Sequence, residues 1–598
     1  MTQTIHSHEI LHTDVLIIGA GGAGLRTAVQ ILSHRPDTSI VAATKVSSPQ
    51  KSHTTTAQGG VAAVDPKDPI DRPVFHMFDT WKGSDCSADQ NVIKTIVDSA
   101  WEQILWLDAH GLHFTRNEEG RFSKRTFGGH TLNFGGPSAF RALFEADRTG
   151  KGIMDTVWAE SLKNNVTFLN QSLATELVFK DDRCTGAVVF DARKGTFTMI
   201  LAKATLISTG GLGQVFKITT NCRQNTGDGL ALVLRQGLPV MDLEAVQFHP
   251  TGIVGPGILA SEALRGEGGI LLNKDHEPFM ERYAPKMKDL APRDLVARSI
   301  ENEIREGRGA IHPDHDLPHV WLDIRHLSDY VHRVKLPEIT SFFSKFIGID
   351  PKEDLCPVRP TVHYQMGGVP VNAFGEVQQD AEKIVPGLFA VGESACASFH
   401  GFNRLATNSL LELFTMGKCV GDRIADFLQE APDPGGPAQP EKTAALFSGY
   451  LEAQGSDNLW TIREALRSVM TEKCGVFRNE AMILEAIQDL MELRERAEHI
   501  KLSSTSLVMN QELVDRFELD NLLNVALTIA QGALARKESR GAHSREDYPE
   551  RSEAFQHHTL AFLQDTGEVR LGTRPIDMSL FQEGGEQAEH FGLLERKY

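Results

Sequence analysis

The sequence predicts an α/β fold: a discontinuous nucleotide-binding domain with an inserted α+β domain, then a helical domain and a small C-terminal domain. Three observations lead to this prediction. An apolar run, a glycine-rich turn and an apolar helical pattern open the chain. Two later apolar runs, at 204–211 and 387–393, end in glycine and suit strands that return to the same sheet. Residues 441–540 combine helical periodicity with dense charge, which is typical of a helical bundle.

The start of the chain carries the clearest structural signal. Residues 14–19 suit a buried parallel strand, residues 22–33 have the apolar spacing of a helix, and residues 39–44 suit the next strand. The turn between the first two elements has the spacing Gly-x-Gly-x-x-Gly and consists of Gly19, Ala20, Gly21, Gly22, Ala23 and Gly24. Such a turn brings backbone N–H groups and a helix N-terminus to a pyrophosphate, so we predict a Rossmann-like dinucleotide site.

These elements divide the chain into predicted domains. The nucleotide-binding domain takes residues 1–240 and 361–430, the inserted capping domain 241–360, the helical domain 431–545 and the C-terminal domain 546–598. A helix is predicted over 408–421 with Asn408 as its cap. The segment 431–440, rich in Pro and Gly, is predicted to be a linker.

Composition and charge exclude several classes of protein. The chain has 598 residues and a net charge of −18, from 61 basic and 79 acidic side chains, which argues against a nucleic-acid partner. Seven scattered cysteines without a C-x-x-C pair predict neither a disulfide framework nor an iron–sulfur cluster in this chain. We expect no membrane span, because no apolar run reaches about 18 residues, and no targeting segment, because the N-terminus lacks a basic region followed by an apolar one. We expect no metal site, because the histidines show no ligand-like arrangement.

One loop points to the cofactor. His53 stands among small hydroxyl residues in Ser52-His53-Thr54, followed by Ala57-Gln58-Gly59-Gly60. With the glycine turn, this segment resembles the flavoprotein subunit of succinate dehydrogenase and fumarate reductase, where the His of S-H-T-x-x-A-Q-G-G is bonded covalently to FAD. The resemblance implies a histidyl–FAD link at His53. It also implies cofactor contacts from Gly19, Ala20, Gly21, Gly22, Ala23, Gly24, Thr44, Lys45, Ser52, Thr54, Ala57, Gln58, Gly59, Gly60, Asp228, Glu393, Ser409 and Leu410.

The substrate residues come from five further motifs. A dicarboxylate needs two anion sites at a fixed separation, and Glu262 and Arg265 stand three apart, able to face each other across a turn. The motifs resemble the family's Q-F-H-P-T-G, T-E-x-x-R-G-E-G-G, G-R-D-x-x-x-R, H-Y-x-M-G-G and H-G-x-N-R-L. The resemblance implies proton transfer through Arg293, relayed by Arg265 and Glu262, with hydride transfer between substrate and flavin N5. It implies that the carboxylates are held by His249, Ser261, His363 and Arg404.

Three departures from the family pattern bear on the site. Ser261 replaces a Thr and keeps the hydroxyl, and Leu264 replaces a Cys, which predicts low sensitivity to thiol reagents there. Ala406 and Thr407 replace two glycines, so they must adopt the backbone that glycine would, or the loop shifts. Tyr364 is expected only to pack.

Two related enzymes remain as alternatives, L-aspartate oxidase and a soluble fumarate reductase. Both lack the linking histidine, and aspartate oxidases carry an acidic residue where this chain has Phe127, which suits a substrate without an ammonium group. A flavin-binding scaffold would not need the Arg and His cluster. The resemblance implies an iron–sulfur subunit, a membrane anchor with quinone, and succinate or fumarate as substrate. It places the chain as a peripheral protein on the cytoplasmic side of a prokaryotic inner membrane.

Overall fold

The computed structural model describes residues 8–311, 317–435, 441–579 and 588–595. Its strands are β1 His8–Ile18, β2 Ile40–Thr44, β3 Val61–Ala62, β4 Lys124–Thr131, β5 Ser138–Leu143, β6 Thr167–Asn170, β7 Ser172–Lys180, β8 Arg183–Asp191, β9 Thr196–Ile207, β10 Val240–Met241, β11 Val246–Ile253, β12 Ile270–Leu272, β13 Ala310–Ile311, β14 Pro318–Asp323, β15 Cys356–Gln365, β16 Val369–Pro370, β17 Glu376–Gln378, β18 Ile384–Ala390, β19 Ala395–Cys396, β20 His557–Leu563 and β21 Val569–Pro575. Its α-helices are α1 Gly22–His34, α2 Pro73–Gly83, α3 Gln90–Ala109, α4 Thr149–Lys163, α5 Asp228–Leu234, α6 Ala263–Gly266, α7 Met280–Tyr283, α8 Arg293–Glu303, α9 Pro337–Ile347, α10 Asn408–Phe427, α11 Glu441–Glu452, α12 Leu459–Lys473, α13 Glu480–Ala497 and α14 Gln511–Ala535. Within these described ranges, none of the helices is both long and apolar enough to cross a membrane.

A largely parallel sheet forms the centre of the nucleotide-binding region. Its strands lie in the order β17-β18-β9-β1-β2-β6, and β7 and β8 extend it from β9. β1 runs parallel to both β2 and β9, and β18 runs parallel to β9. The two late apolar runs therefore return to the sheet, as predicted. β1 begins earlier than predicted, because residues 8–13 continue to pair with the first half of β9.

A second, antiparallel sheet lies between β11 and β15 in the chain. Its order is β11-β15-β14-β12, with β13 on β14. It has its own hydrophobic core, in which Leu271, Phe279 and Val296 are fully buried. The antiparallel unit and the central sheet therefore have separate hydrophobic cores.

The C-terminal part is helical and then forms two strands. α11 to α14 occupy most of residues 441–535, which confirms the helical prediction. β20 pairs with β10 of the nucleotide-binding region and with β21. Residues 436–440 of the predicted linker lie outside the described residues.

The predicted cap of α10 is wrong. The N-cap is Thr407, and it makes no side-chain capping bond. The amide of Asn408 faces the interior instead: Nδ2 donates to Thr80 Oγ1 at 3.0 Å and Oδ1 accepts from His76 Nε2 at 2.8 Å. A polar residue at a helix start can thus serve tertiary packing rather than the helix end.

Gly19 should be among the least replaceable residues of the sheet. Its φ is +100°, and a Cβ there would overlap the Ser208 carbonyl oxygen. We expect Gly19→Ala to lose bound FAD and to lower the melting temperature, because strain of about 1–3 kcal/mol adds to the overlap. Gly111→Ala is the matched control, since Gly111 has φ +108° with nothing within 4 Å of a Cβ. Equal losses in both variants, measured by flavin absorbance and thermal unfolding, would contradict this account.

Candidate active site

A cavity of about 670 Å³ lies where the central sheet meets the antiparallel unit. The glycine turn after β1, the segment around His53 and the start of α10 line it. All predicted cofactor residues reach its wall except Gly24, which is buried behind it, where a Cβ would overlap Ser208 Oγ. Residues far apart in the sequence therefore converge on one cavity.

The glycine turn and the His53 loop are tied together. The backbone N–H of Gly22 donates to Thr54 Oγ1 at 3.1 Å. Gly21 is the N-cap of α1, so the positive end of that helix faces the cavity. The arrangement is suited to an anionic group such as a pyrophosphate.

Lys45 sits in a buried network rather than alone. Its Nζ lies 2.7 Å from Asp228 Oδ2 and 2.7 Å from Glu518 Oε1. Burial opposes the charge, but the two carboxylates outweigh it and hold the pKa of Lys45 above its usual range. Asn521 Nδ2 donates to Asp228 Oδ1 at 2.8 Å. Glu518 and Asn521 were not predicted, because they belong to α14, far along the chain.

His53 presents a neutral imidazole to the cavity. Its Nδ1 lies 3.2 Å from Thr56 Oγ1 and 3.4 Å from Cys222 Sγ. Burial lowers the pKa of His53 to about 4, so the ring is uncharged near neutral pH. Cys222 was not predicted, since its position beside His53 follows from tertiary packing.

Three predicted catalytic residues form a buried chain of charges. Arg293 Nε donates to Glu262 Oε2 at 2.8 Å, and Arg265 Nη2 lies 3.8 Å from the same oxygen. The backbone N–H of Gly128 donates to Glu262 Oε1 at 2.7 Å. Burial would raise the pKa of Glu262, but the two arginines outweigh it and hold the pKa below its usual range. Glu262 is therefore an ionised carboxylate between two guanidinium groups.

The two predicted site histidines lie side by side, with ring centroids 5.1 Å apart. His363 Nδ1 lies 2.8 Å from Thr220 Oγ1, and His249 Nε2 is buried with no hydrogen-bond partner among the described residues. Burial and the charge of Arg293 hold the pKa of both histidines well below the usual range. Both rings are thus neutral and can donate one hydrogen bond each.

Arg404 completes a strongly positive end of the cavity. Its guanidinium lies 4.6 Å from the ring centroid of Tyr364, and Nη1 donates to Ser409 Oγ at 3.0 Å. Within the described structure, its buried Nε has no partner. Burial and the neighbouring Arg293 lower the pKa of Arg404 to about 9, because too little negative charge is nearby. This end of the cavity is suited to an anion.

The predicted substrate residues divide into two groups. Ser261, Arg293, His363 and Arg404 line the cavity. His249, Glu262, Arg265 and Phe127 lie behind its wall, and Phe127 packs against Gly59. The prediction that Tyr364 only packs is wrong: it lines the cavity, and its hydroxyl donates to Glu412 Oε2 at 3.1 Å.

The structure shows how the residues that depart from the family pattern are accommodated. Thr407 has φ +65°, the left-handed backbone that a glycine would adopt, whereas Ala406 does not need it. The carbonyl of Ala406 accepts a hydrogen bond from His130 Nε2 at 2.9 Å, which fixes the loop. Leu264 is fully buried in the core of the antiparallel unit.

The cavity fits FAD. A helix N-terminus and glycine backbone are positioned for the pyrophosphate, and the neutral imidazole of His53 stands on the wall. Burial raises the pKa of Glu393 to about 8, and among the described residues its carboxyl accepts only a long bond, 3.3 Å, from the Gln365 N–H. A hydroxyl-bearing ligand such as the ribityl or ribose part of FAD would supply the donors that this carboxylate lacks.

Comparisons with known proteins agree with this fit. The FAD binding domain family matches residues 14–410, and the fumarate reductase flavoprotein C-terminal family matches residues 463–598. A succinate dehydrogenase flavoprotein subunit from Rickettsia felis is 40% identical over 588 residues, which cover 96% of this chain and 97% of that protein. The 8-methylmenaquinol:fumarate reductase flavoprotein subunit of Wolinella succinogenes is 38% identical over 600 residues, covering 99% and 94%. The structure of a mutant of E. coli quinol fumarate reductase FrdA superposes with a TM-score of 0.91 at 33% identity, covering 98% of this chain and 100% of that one.

These matches extend over nearly the whole chain and include both its cofactor region and its C-terminal region. The predicted fold class is confirmed by the structural likeness, and FAD as the cofactor is confirmed by the family match. The chain belongs to the succinate dehydrogenase and fumarate reductase flavoprotein family, and it is an FAD-dependent oxidoreductase subunit.

Proposed function

We propose that this subunit interconverts succinate and fumarate on an FAD bonded covalently to His53. One observation carries the proposal. The charge chain Arg265–Glu262–Arg293 ends at the same cavity that His53 lines, beside Arg404 and His363. The positive end would bind two carboxylates, and the other end would bind the cofactor.

Substrate binding would use the groups that lack partners. Arg404 and His363 line the cavity, and a carboxylate there would supply the negative charge that lowers the cost of burying Arg404. Ser261 adds a hydroxyl on the same wall. The buried His249 Nε2 would donate to the second carboxylate after a small closure of the site.

Proton transfer would run through Arg293. FAD, when bound, would supply the group that accepts a hydride, which is two electrons and one hydrogen, from a C–H bond of succinate. Arg293 would pass its Nε proton to the ionised Glu262, 2.8 Å away, and would take up the proton from the adjacent carbon, so that its guanidinium keeps a single positive charge. Glu262 and Arg265 are buried, so water does not compete for the proton. Fumarate reduction would use the same residues in reverse.

His53 would hold the cofactor through Nε2. Thr56 and Cys222 occupy the surroundings of Nδ1, and the lowered pKa keeps the attacking nitrogen unprotonated at neutral pH. The Ala57–Gly60 backbone follows directly and lines the same cavity. We further propose that residues 241–360 act as a capping domain that closes over the dicarboxylate.

The electrons would leave through partner subunits. We propose an iron–sulfur subunit, a membrane anchor that binds quinone, and a peripheral position on the cytoplasmic side of a prokaryotic membrane. The names of two relatives, a quinol fumarate reductase and an 8-methylmenaquinol:fumarate reductase subunit, support the quinone link.

The test is anaerobic reduction of the bound flavin in the purified complex. We expect succinate to bleach the flavin absorbance and fumarate to restore it. L-Aspartate should have no effect. Reduction by aspartate but not by succinate would replace the proposal with the aspartate oxidase alternative.

A further inference from the structure

A second cavity, of about 380 Å³, lies on the other side of Arg293 and Arg404. Both arginines also line the larger cavity, so the two cavities are adjacent and share these two residues. The remaining walls come from the end of α2, the β4–β5 hairpin, the segment 286–292 before α8 and the loop 403–406. A volume of this size holds a four-carbon dicarboxylate with several waters, at about 30 Å³ per water.

The walls of this second cavity carry several basic side chains. Besides Arg293 and Arg404, they include Lys82 of α2 and Lys286 of the antiparallel unit. Lys82 Nζ lies beside Gly135, 3.9 Å from the position a Cβ would take. Among the described wall residues the one carboxylate is Asp79, which is committed to Arg141 at 2.6 Å.

The mouth of the larger cavity has a different charge balance. Its Lys151 pairs with Asp155 and its Arg148 pairs with Glu145, so these cations are largely neutralised. Lys286 is exposed, and the described part of the chain provides it with no ion pair. A dianion must approach a chain of net charge −18, so an uncompensated cation beside the site has a large effect on its approach.

We propose that the second cavity is the access path of the dicarboxylate to Arg293 and Arg404, and that Lys286 attracts the dianion into it. The proposal rests on the proposed function. A substrate that enters through the second cavity meets Arg293 and Arg404 first and would then pass them to reach Ser261 and His363 in the larger cavity, without displacing the cofactor. The four glycines 128, 129, 135 and 136 keep the path free of side chains.

Substitution of Lys286 in the complete FAD-containing complex tests whether the charge of this residue attracts the dianion. We expect kcat/KM for succinate to fall about 3-fold in Lys286→Gln and about 10-fold in Lys286→Glu at low ionic strength, with kcat unchanged. At high salt the difference from wild type should vanish, because exposed charges are screened. Lys288→Gln is the matched control, since Lys288 is also exposed but pairs with Glu281. A salt-independent loss, or a loss in kcat alone, would overturn the role of Lys286.

A steric block tests the path itself. Ser138 is exposed on the wall of the second cavity, so Ser138→Trp should slow both association and dissociation of malonate severalfold without changing its Kd. Phe140→Trp, on the same strand but off the wall, should change neither rate. Unchanged rates in Ser138→Trp would refute the path. If the wild type neither binds malonate nor oxidises succinate, the proposed function fails instead, which the same stopped-flow traces show.

Discussion

Replacing Arg293 by Lys should lower succinate oxidation by about 10²–10⁴-fold while FAD stays bound. Lys keeps the positive charge but has no planar guanidinium group. It therefore cannot donate to Glu262 and line the cavity at the same time, as Arg293 does. A fall of 10³ corresponds to about 4 kcal/mol of transition-state stabilisation. The measurement is succinate-dependent reduction of an artificial electron acceptor, with flavin absorbance recorded on the same sample.

The control for this variant lies on the same helix. Arg298 pairs with Asp294 and donates to the Gly541 carbonyl, away from the cavity. Arg298→Lys should therefore turn over at close to the wild-type rate. If Arg293→Lys retained that rate as well, Arg293 would be a binding residue and the proton carrier would have to be sought elsewhere.

His53→Ser should abolish the covalent flavin. After acid precipitation and a denaturing gel, the wild type should show a fluorescent band and the variant none, because a serine side chain has no ring nitrogen to form the bond. Noncovalent FAD should remain, since the glycine turn and the Lys45–Asp228 pair are untouched. Succinate oxidation should fall more than fumarate reduction, because the covalent bond is expected to favour the reduced flavin.

Substitution of a second histidine tests whether the loss of covalent flavin is specific to His53. His110 is exposed and stacks on Trp106 outside the cavity, so His110→Ser should keep the fluorescent band. A band that persists in His53→Ser would show that another residue carries the flavin. No band in the wild type, matured with its partner subunits, would favour the soluble reductase or the aspartate oxidase.

Local patterns predicted most secondary-structure elements near the cofactor. The strand–glycine turn–helix unit could be predicted because strand burial, glycine backbone freedom and helical spacing are all local properties. The role of Asn408 could not be predicted correctly, because its amide can form hydrogen bonds either with a helix end or with a buried neighbour. The expectation that Ala406 and Thr407 both need a glycine-like backbone holds only for Thr407, whose φ is +65°.

The sequence by itself determined the glycine turn, the His53 loop and the order of the substrate motifs, because each depends on residues close together in the chain. Only the tertiary structure decided that Glu518 holds Lys45, that Cys222 faces His53 and that Phe127 lies behind the wall. It also decided that a second cavity meets Arg293 and Arg404. These contacts join residues that are far apart in the sequence, and their distances are set by strand pairing and by the packing of two hydrophobic cores, neither of which a local pattern specifies.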